Sequence, residues 1–254
     1  MKTKKSRHKL FILLSISLFY FGCQSPANDG FVEIFDGETL EGWSGDSIYW
    51  QVKNGCIVGT VKPETILKNN TFIVWQGGQP QDFELKLDYR ISESGNSGVN
   101  YRSTYLENRP HALRGYQCDI DGKNKYTGQN YEEKKRTTLA YRGEKVILST
   151  PSDSAVMENI RSNVEKNCWQ TRDVLEPLGD KDALGAKVNA NDWNQVHLII
   201  KGNRLMHYVN GTLMSDVEDN DTMHLAIKGY IGVQVHVGPP MKVEFKNIRL
   251  KEIK

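Results

Sequence analysis

Residues 95–121 read GNSGVNYRSTYLENRPHALRGYQCDID and contain the two runs that decide the fold. Successive side chains of a β-strand point to opposite faces of its sheet. This alternation places on one face the apolar side chains of Val99, Tyr101, Tyr116, Cys118 and Ile120. It places on the other face the polar side chains of Asn100, Arg102, Gln117, Asp119 and Asp121. If the apolar sets pack in one core, the polar set lies on one surface that suits a ligand rich in hydroxyl groups. A solvated sheet face with a salt bridge is the alternative.

The rest of the chain repeats this β pattern. Residues 83–90 alternate apolar and polar side chains, which is typical of a half-buried strand. Asn54-Gly55 and Asn210-Gly211 are strong hairpin signals. Many short strands joined by tight turns predict an all-β sandwich of the jelly-roll type.

One helix is predicted outside this pattern. Asp153 can cap a helix that runs from residue 154 to about residue 166. Val156, Ile160 and Val164 recur every four positions and give this helix an apolar stripe. We expect it to pack at the rim of the sheets.

The strand at residues 230–237 adds to the polar surface. Its apolar residues share one parity, so Gln234 and His236 take the other face together with Gly232. A histidine in that position can titrate near neutral pH. A solvent-facing histidine without a role is the alternative.

Two further segments carry titratable candidates with competing interpretations. His207 shares the parity of the apolar residues beside it, so a core or edge position competes with a role in a site. Glu132, Glu133 and Arg136 follow a loop that could fold over the polar face or remain solvated.

Several reaction classes lack their motif in this sequence. It contains no GxSxG, no HExxH and no GxxxxGK[ST]. No group of histidines and cysteines has the spacing of metal ligands, so neither a metal nor a cofactor is predicted. Cys56, Cys118 and Cys168 are expected to be buried free thiols, with one disulfide left open.

The N-terminus predicts export and lipidation. Five basic residues precede the apolar run Leu10–Phe21, which is too short for a comfortable membrane span, and Gly22-Cys23 follows. Residues 1–22 therefore form a lipoprotein signal peptide, with an ordinary secretory signal as the alternative. Cys23 becomes the lipidated residue, residues 23–30 form a tether, and residues 31–254 form the domain. We expect a protein of the cell envelope, lipid-anchored in the periplasm or on the outer-membrane surface.

The charge of the mature chain excludes one class of partner. Without the five basic residues of the signal peptide, the 33 basic residues of the precursor become 28, against 31 acidic ones. The mature domain is therefore slightly acidic, and nucleic-acid binding is not expected.

Five motifs together resemble a known family. They are GNSGVNYRS, RGYQCDID, TGQNYEE, DWNQVHLIIKGNRLMHYVNG and GYIGVQVHVGPPMKVEFKNIRL, and the opening FVEIFDGETLEGW fits as well. The chain resembles the DUF1080 family, also named the 3-keto-disaccharide hydrolase domain, from about Phe31 to Glu252. That family is common in lipoproteins of Bacteroidetes-type bacteria. Many members have GYE followed two residues later by Gln, whereas this chain has Gln117 and Asp119 at those positions.

The resemblance implies a concanavalin A-like lectin/glucanase jelly roll whose ligands bind on the concave sheet. It also implies a hydrolase or lyase that cleaves the glycosidic bond of 3-keto-glycosides or 3-keto-disaccharides. A ketone at C3 acidifies the proton at C2; a base removes it, the group at C1 leaves, and water adds back. Such a site needs a base, a group that polarises the keto oxygen, and a proton donor for the leaving oxygen.

The predicted roles follow this reaction. His236 or Asp119 is the base, Arg102 stabilises the oxyanion, and Glu132 or His207 is the acid. The predicted substrate-binding residues are Asn96, Asn100, Gln117, Gln234, Tyr131 and Arg136. The alternative is a carbohydrate-binding surface lipoprotein without catalysis, because lectin-like sandwiches often only bind sugars. Titratable groups on the polar face favour the enzyme.

Overall fold

The computed structural model describes residues 29–166 and 171–253, and these residues fold into two packed β-sheets. The strands, in chain order, are β1 (Val32–Glu33), β2 (Trp43–Ser44), β3 (Trp50–Lys53), β4 (Cys56–Val61), β5 (Thr71–Trp75), β6 (Phe83–Ile91), β7 (Asn96–Tyr105), β8 (Leu113–Asp121), β9 (Asn130–Glu133), β10 (Thr137–Ala140), β11 (Glu144–Ser149), β12 (Arg172–Val174), β13 (Asn194–Lys201), β14 (Arg204–Val209), β15 (Thr212–Asn220), β16 (Tyr230–Val235) and β17 (Met241–Glu252). The helices are α1 (Ser154–Glu158), α2 (Ile160–Glu165) and α3 (Lys181–Gly185), with one 3₁₀ turn at Pro63–Thr65.

The two sheets have ten and seven strands. The ten-stranded sheet has the order β12-β11-β15-β14-β13-β6-β17-β4-β3, with β1 paired to β17. The seven-stranded sheet has the order β10-β9-β8-β7-β16-β5-β2. Among the described strands the pairs are antiparallel except for β11 with β15. This is the all-β jelly-roll sandwich that the strand pattern predicts.

One large apolar core lies between the sheets. In β6 every second side chain, from Phe83 to Ile91, is buried and the side chains between them are half-buried. The predicted core residues of the seven-stranded sheet are confirmed; they are Val99, Tyr101, Tyr116, Cys118, Ile120, Val233 and Val235. The opposite face of the seven-stranded sheet therefore points away from the ten-stranded sheet.

Both predicted hairpin turns are confirmed. Asn54 and Gly55 have φ angles of 51° and 74°, and they join β3 to β4. Asn210 and Gly211 have φ angles of 49° and 75°, and they join β14 to β15. Two successive positive φ angles match the twist of antiparallel strands, and asparagine and glycine tolerate them best.

The predicted single helix is two short helices. The side chain of Asp153 accepts hydrogen bonds from the N–H groups of Ala155 and Val156, as expected of an N-cap. The helix is interrupted at Asn159, whose φ and ψ are −117° and 36° and whose side-chain amide donates to the carbonyl of Ala155. Asparagine competes with the helix for backbone partners, which explains the break. The third helix, α3, was not predicted.

Some predictions fall outside the described residues. The signal peptide, Cys23 and Cys168 all lie there. Cys56 and Cys118 are buried free thiols. In residues 29–166 and 171–253, no helix has both the length and the apolar character needed to cross a membrane.

Candidate active site

A pocket of about 210 Å³ opens on the outer face of the seven-stranded sheet. Its walls come from β7, β8, β9 and β10, from the loop between β8 and β9, and from the residue that follows β16. The lining side chains are Asn96, Gln117, Asp119, Tyr126, Gln129, Tyr131, Glu133, Thr138 and His236. The pocket thus brings together five of the residues predicted for the site, namely Asn96, Gln117, Asp119, Tyr131 and His236.

Asp119 is a buried carboxylate of the pocket, with 7% of its surface exposed. Its Oδ1 accepts a hydrogen bond of 2.6 Å from the amide of Gln117, and its Oδ2 accepts one of 2.5 Å from the amide of Gln129. Burial raises the pKa of Asp119 to about 7 because it disfavours the charged form; the two amides oppose this effect, and Glu133 and Asp121 add to it. Both protonation states are therefore populated near neutral pH.

A chain of amides orients Asp119 from the side of β16. The Gln234 amide donates to Oε1 of Gln117 at 3.2 Å, which leaves the Gln117 amide to donate to Asp119. Gly98 lies directly across the strand from Asp119, and a Cβ there would come within 2.4 Å of the Gln117 side chain. The glycine of the GNSGVNY run therefore makes room for Gln117.

His236 lies half-buried at the pocket, just beyond β16. Its Nδ1 is 2.5 Å from the carbonyl oxygen of Val237. A carbonyl can only accept, so Nδ1 carries the proton in this arrangement and Nε2 of the neutral ring has a free lone pair. That nitrogen can accept a proton, and the protonated ring can donate one.

Glu133 is a second carboxylate in the pocket and is joined to the His236 segment by Asn70. The side-chain amide of Asn70 donates to Oε1 of Glu133 at 3.2 Å. The Oδ1 atom of Asn70 accepts a hydrogen bond of 2.9 Å from the N–H of Val237. One buried side chain therefore fixes both an acidic group and the backbone next to His236.

The loop between β8 and β9 is held in place by Asp121. Its carboxylate accepts hydrogen bonds from the N–H groups of Lys125, Tyr126 and Thr127. These bonds position the loop that carries Tyr126 and Gln129 into the pocket. Asp121 is thus a structural residue of the site.

Tyr131 forms part of the pocket wall near helix α2. Burial raises the pKa of its hydroxyl, and the carboxylates of Glu133 and Asp119 add to that effect. Arg161 of α2 makes a side-chain hydrogen bond to Tyr131 that acts in the opposite direction. The helical segment therefore reaches the edge of the pocket.

The expectation that Arg102 shares this surface is wrong. The pairing of β7 with β8 shifts register between Tyr101 and Thr104, and Arg102 has a φ of 44°. Such a bulge sends a side chain to the face that alternation does not predict. The guanidinium instead donates to the carbonyls of Gln81, Gly202 and Ala226 and to the carboxylate of Asp82.

Glu132 and Arg136 are likewise not at the pocket; they lie in a buried ion cluster. Arg136 bonds to Glu132, to both oxygens of Asp219, and to Asp221 at 3.3 Å. The hydroxyl of Tyr116, a core residue, donates to Asp219 at 2.5 Å. Glu132 shares the core-facing side of β9, so the predicted roles in acid catalysis and substrate binding do not fit these two positions.

His207 is also corrected. Its ring is fully buried, with Nε2 2.7 Å from the hydroxyl of Tyr101 and Nδ1 3.3 Å from the carbonyl oxygen of Gln129. Burial lowers the pKa of His207 to about 3, so the ring is neutral at neutral pH. It lies behind the pocket and lacks the contact with substrate that the predicted acid needs.

Asn100 and Gln234 lie next to the pocket without lining it. Both side chains are fully buried, and one oxygen of each has no hydrogen-bond partner among the described residues. Asn100 pairs across the strand with Gln117, and Gln234 donates to it. Gln234 therefore contacts a pocket residue, Gln117, whereas the side-chain amide of Asn100 donates to the hydroxyl of Ser103.

The sequence interpretation missed Gln129, Tyr126 and Thr138, and it named Glu133 only as part of a charged segment that could fold over the polar face or remain solvated. A signal for Glu133 was present, because Tyr131 and Glu133 share one parity on β9 and Glu132 has the other. Gln129 and Tyr126 lie in a loop, where alternation gives no information about direction.

The side chains that line the pocket can carry out acid–base chemistry. Two carboxylates, Asp119 and Glu133, and the imidazole of His236 line one pocket. The side-chain amides of Asn96, Gln117 and Gln129 line it as well. Among the described residues no group of three or more histidines, cysteines or acids could hold a metal ion. Proton transfer to and from a bound sugar is the chemistry that these side chains support.

A family model described as a 3-keto-alpha-glucoside-1,2-lyase-like domain matches residues 30–251. A curated relative, the 3-keto-disaccharide hydrolase of Bacteroides thetaiotaomicron, is 32% identical over an alignment of 92 residues, and the match covers 29% of this chain and 27% of that protein. The match thus covers about a quarter of that relative's length.

Solved structures show the same fold at low sequence identity. A Parabacteroides distasonis protein provisionally assigned as a glycosyl hydrolase is 18% identical, with a TM-score of 0.54, over 89% of this chain and 94% of that one. The carbohydrate-binding module CBM66 of Bacillus subtilis is 15% identical, with a TM-score of 0.51, over 83% and 96% of the two chains.

Proposed function

Because the chain belongs to the family of 3-keto-alpha-glucoside-1,2-lyase-like domains, we propose that it cleaves the glycosidic bond of 3-keto-glycosides in the pocket around Asp119. The observation that carries this proposal is the pairing of an enclosed carboxylate of pKa about 7 with a histidine at one pocket. A base whose pKa lies near the working pH is best suited to proton transfer.

Asp119 is the proposed base. Its ionised form removes the C2 proton, and the electrons of the C–H bond form an enolate with the C3 ketone. The enolate then reforms the ketone, a C1–C2 double bond forms, and the bond from C1 to the leaving oxygen breaks. The amides of Gln117 and Gln129 hold the carboxylate in one orientation throughout.

His236 is the proposed acid for the leaving oxygen. It is more exposed than Asp119, which suits a group that meets the departing aglycone at the solvent side. Its protonated ring gives the Nε2 proton to that oxygen. Water then adds to the double bond: its hydroxyl goes to C1, its remaining proton goes to Nε2 of His236, and Asp119 returns its proton to C2. Both side chains regain their starting states, and the net reaction is hydrolysis.

The charge of the pocket favours neutral sugars. Apart from His236, the ionisable side chains lining it are carboxylates and tyrosines, and no lysine or arginine of the described residues is among them. An acidic sugar ring would meet like charge there. The enolate oxygen is met by neutral donors such as the second hydrogens of the Gln117 and Gln129 amides.

The experiment is an assay of the mature protein against a panel of glucosides and of their 3-keto derivatives. Release of aglycone from the keto derivatives, with none from the parent glucosides, is the expected result. A protein that releases aglycone from both equally would act by ordinary glycoside hydrolysis, which overturns the proposed route through a C2 proton.

Carbohydrate binding without catalysis is the second candidate. Tyr126 and Tyr131 line the pocket beside several amides, and such a set can bind a sugar ring and its hydroxyls. Binding of the panel sugars without turnover of any 3-keto derivative favours this candidate.

We further propose that the mature protein is anchored by lipid at Cys23 in the periplasm or on the outer-membrane surface. The basic start, the short apolar run and Gly22-Cys23 support it.

A further inference from the structure

A chain of hydrogen bonds runs from the core to the floor of the pocket. The Nδ2 atom of Asn130 lies 3.4 Å from the hydroxyl oxygen of Tyr101, and that oxygen lies 2.7 Å from Nε2 of His207. The Nδ1 atom of His207 lies 3.3 Å from the carbonyl oxygen of Gln129. His207 belongs to β14 of the ten-stranded sheet, so this chain crosses from one sheet to the other.

The direction of each bond is fixed by chemistry. The carbonyl of Gln129 can only accept, so the proton of His207 is on Nδ1. Nε2 then accepts from the Tyr101 hydroxyl, whose oxygen in turn accepts from Asn130. Because His207 is fully buried and stays neutral at neutral pH, this chain keeps one arrangement over the working range.

Gln129 forms two hydrogen bonds with Asp119, one through its backbone and one through its side chain. Its carbonyl oxygen also accepts the backbone N–H of Asp119 at 3.2 Å. Its side-chain amide donates to Oδ2 of Asp119 at 2.5 Å. The backbone that His207 holds is therefore the backbone from which the amide reaches the carboxylate.

We propose that His207 and Tyr101 are positioning residues that hold Gln129 against Asp119. Neither touches the pocket, and both act through Gln129. An effect of these two residues on turnover rests on the proposed function. Their effect on the position and titration of Asp119 does not, and it can be measured without a substrate.

Loss of this chain of hydrogen bonds should raise the titration midpoint of Asp119. An amide that donates to a carboxylate favours the charged form. If the Gln129 amide is freed, the titration midpoint of Asp119 rises. The other titratable groups around Asp119 are Glu133, Asp121, Tyr126, Tyr131 and His236, and the substitutions below leave all of them in place.

The experiment is an NMR titration of the Asp119 carboxyl carbon in aspartate-labelled protein, with the signal assigned by its absence in Asp119→Asn. His207→Phe removes both hydrogen bonds and is expected to raise the midpoint by about one pH unit, the size of one charge-assisted hydrogen bond. His207→Gln keeps an N–H donor and is expected to restore most of the parent midpoint. Tyr101→Phe, which keeps the ring but lets the histidine tautomer change, is expected to shift it in the same direction.

Phe83→Leu is the matched control. Phe83 is a buried ring that packs edge-on against Tyr101 at 6.2 Å between ring centroids, without a hydrogen bond to it. The Phe83→Leu substitution perturbs the packing around Tyr101 and is expected to leave the titration midpoint of Asp119 unchanged. If His207→Phe does not fold, Tyr101→Phe carries the test.

An Asp119 midpoint that stays at the parent value in both His207→Phe and Tyr101→Phe overturns the proposal. An equal shift in Phe83→Leu overturns it as well, because the effect is then general packing. A parent protein that never turns over a 3-keto-glycoside overturns the proposed function, whereas a moved midpoint in the same preparation still supports the positioning role.

Discussion

The guanidinium of Arg102 lies 2.7 Å from the carbonyl oxygen of Gly202, on the side of the seven-stranded sheet away from the pocket. Gly202 is in the turn between β13 and β14, so this bond joins the two sheets. The same guanidinium donates to Gln81 and to Asp82, and its residue is almost fully buried. Arg102 thus satisfies backbone carbonyls that no apolar side chain could serve.

We predict that Arg102→Lys destabilises the fold by about 2 to 4 kcal/mol, because a lysine cannot serve several acceptors in one plane and leaves them unpaired. Denaturant unfolding measures the loss, and turnover by the folded fraction should remain at the parent level. Arg90→Lys is the control: its partially exposed pair with Glu244 should contribute less than about 1 kcal/mol. If the Arg102→Lys protein is as stable as the parent but has lost turnover, Arg102 acts in catalysis and the structural role is wrong.

We predict that Asp119 makes the protein less stable as pH rises from about 4 to 7. Its folded pKa, about 7, lies above the ordinary value of 3.8, so the folded state holds the proton more tightly than the unfolded state in that window. The contribution is fully present below pH 4 and is lost as pH rises to 7, up to about 4 kcal/mol.

Asp119→Asn should remove this decrease in the free energy of unfolding between pH 4 and 7. Unfolding free energies measured at several pH values for both proteins check it, and the difference between them isolates this one group. Parallel curves for parent and variant between pH 4 and 7 would contradict the raised pKa.

The local sequence pattern was sufficient to predict the main strands, the two Asn-Gly hairpins and most residues on the outer face of the seven-stranded sheet. Asn-Gly at positions 54 and 210 requires two positive φ angles, which few other pairs accept. The alternation in β8 places Gln117 and Asp119 on the outer face because no bulge interrupts that strand before Asp121. Two-residue periodicity holds wherever the ladder is regular.

Arg102 and Glu132 show where this reasoning stops. A register shift in β7 reverses the face of Arg102, and bulges depend on how two distant strands pair. Glu132 and Glu133 are adjacent and therefore take opposite faces of β9; alternation groups Glu133 with Tyr131, and the pairing of β9 with β8 sets which of the two faces points to the pocket. Gln129 could not be predicted, since its direction depends on a loop held by Asp121.

Glu133→Gln should shift the pH dependence of turnover to lower pH. The Glu133 carboxylate is among the groups that raise the pKa of Asp119, and glutamine removes its charge while retaining an acceptor for Asn70. The acidic limb of kcat/KM against pH measures the change. Glu93→Gln, at an exposed position outside the pocket, serves as the control and should not move that limb.

Cys23→Ser should move the protein from the membrane fraction to the soluble fraction, since the proposed anchor is the lipid on that residue. Fractionation of cells that express parent and variant measures it, with Cys56→Ser as a variant that keeps Cys23. Equal membrane retention of both variants would exclude lipidation at Cys23.

The last prediction concerns turnover, and it separates the two proposed catalytic residues. Loss of a general acid or base typically costs about 100- to 10,000-fold in rate, so Asp119→Asn and His236→Ala should both lose turnover of a 3-keto-glucoside to that extent. Folding should survive both changes. His236 is half-buried and, within the part of the chain that the structure describes, its ring has a hydrogen bond to the carbonyl of Val237 alone, and Asp119→Asn removes a carboxylate that burial disfavours at neutral pH. His111→Ala, a half-buried histidine outside the pocket, is the control.

The leaving group then distinguishes the roles. A nitrophenol leaves without protonation by an acid, whereas methanol needs it. The rate loss caused by His236→Ala should therefore be smaller with a nitrophenyl 3-keto-glucoside than with a methyl 3-keto-glucoside. The defect of Asp119→Asn should stay large with both substrates, because removal of the C2 proton comes before departure of the leaving group. Rates for the two substrates with each variant, at unchanged melting temperature, measure this. A His236→Ala defect that is equally large with both leaving groups would argue against His236 as the acid, and near-parent rates in Asp119→Asn would remove Asp119 from the mechanism.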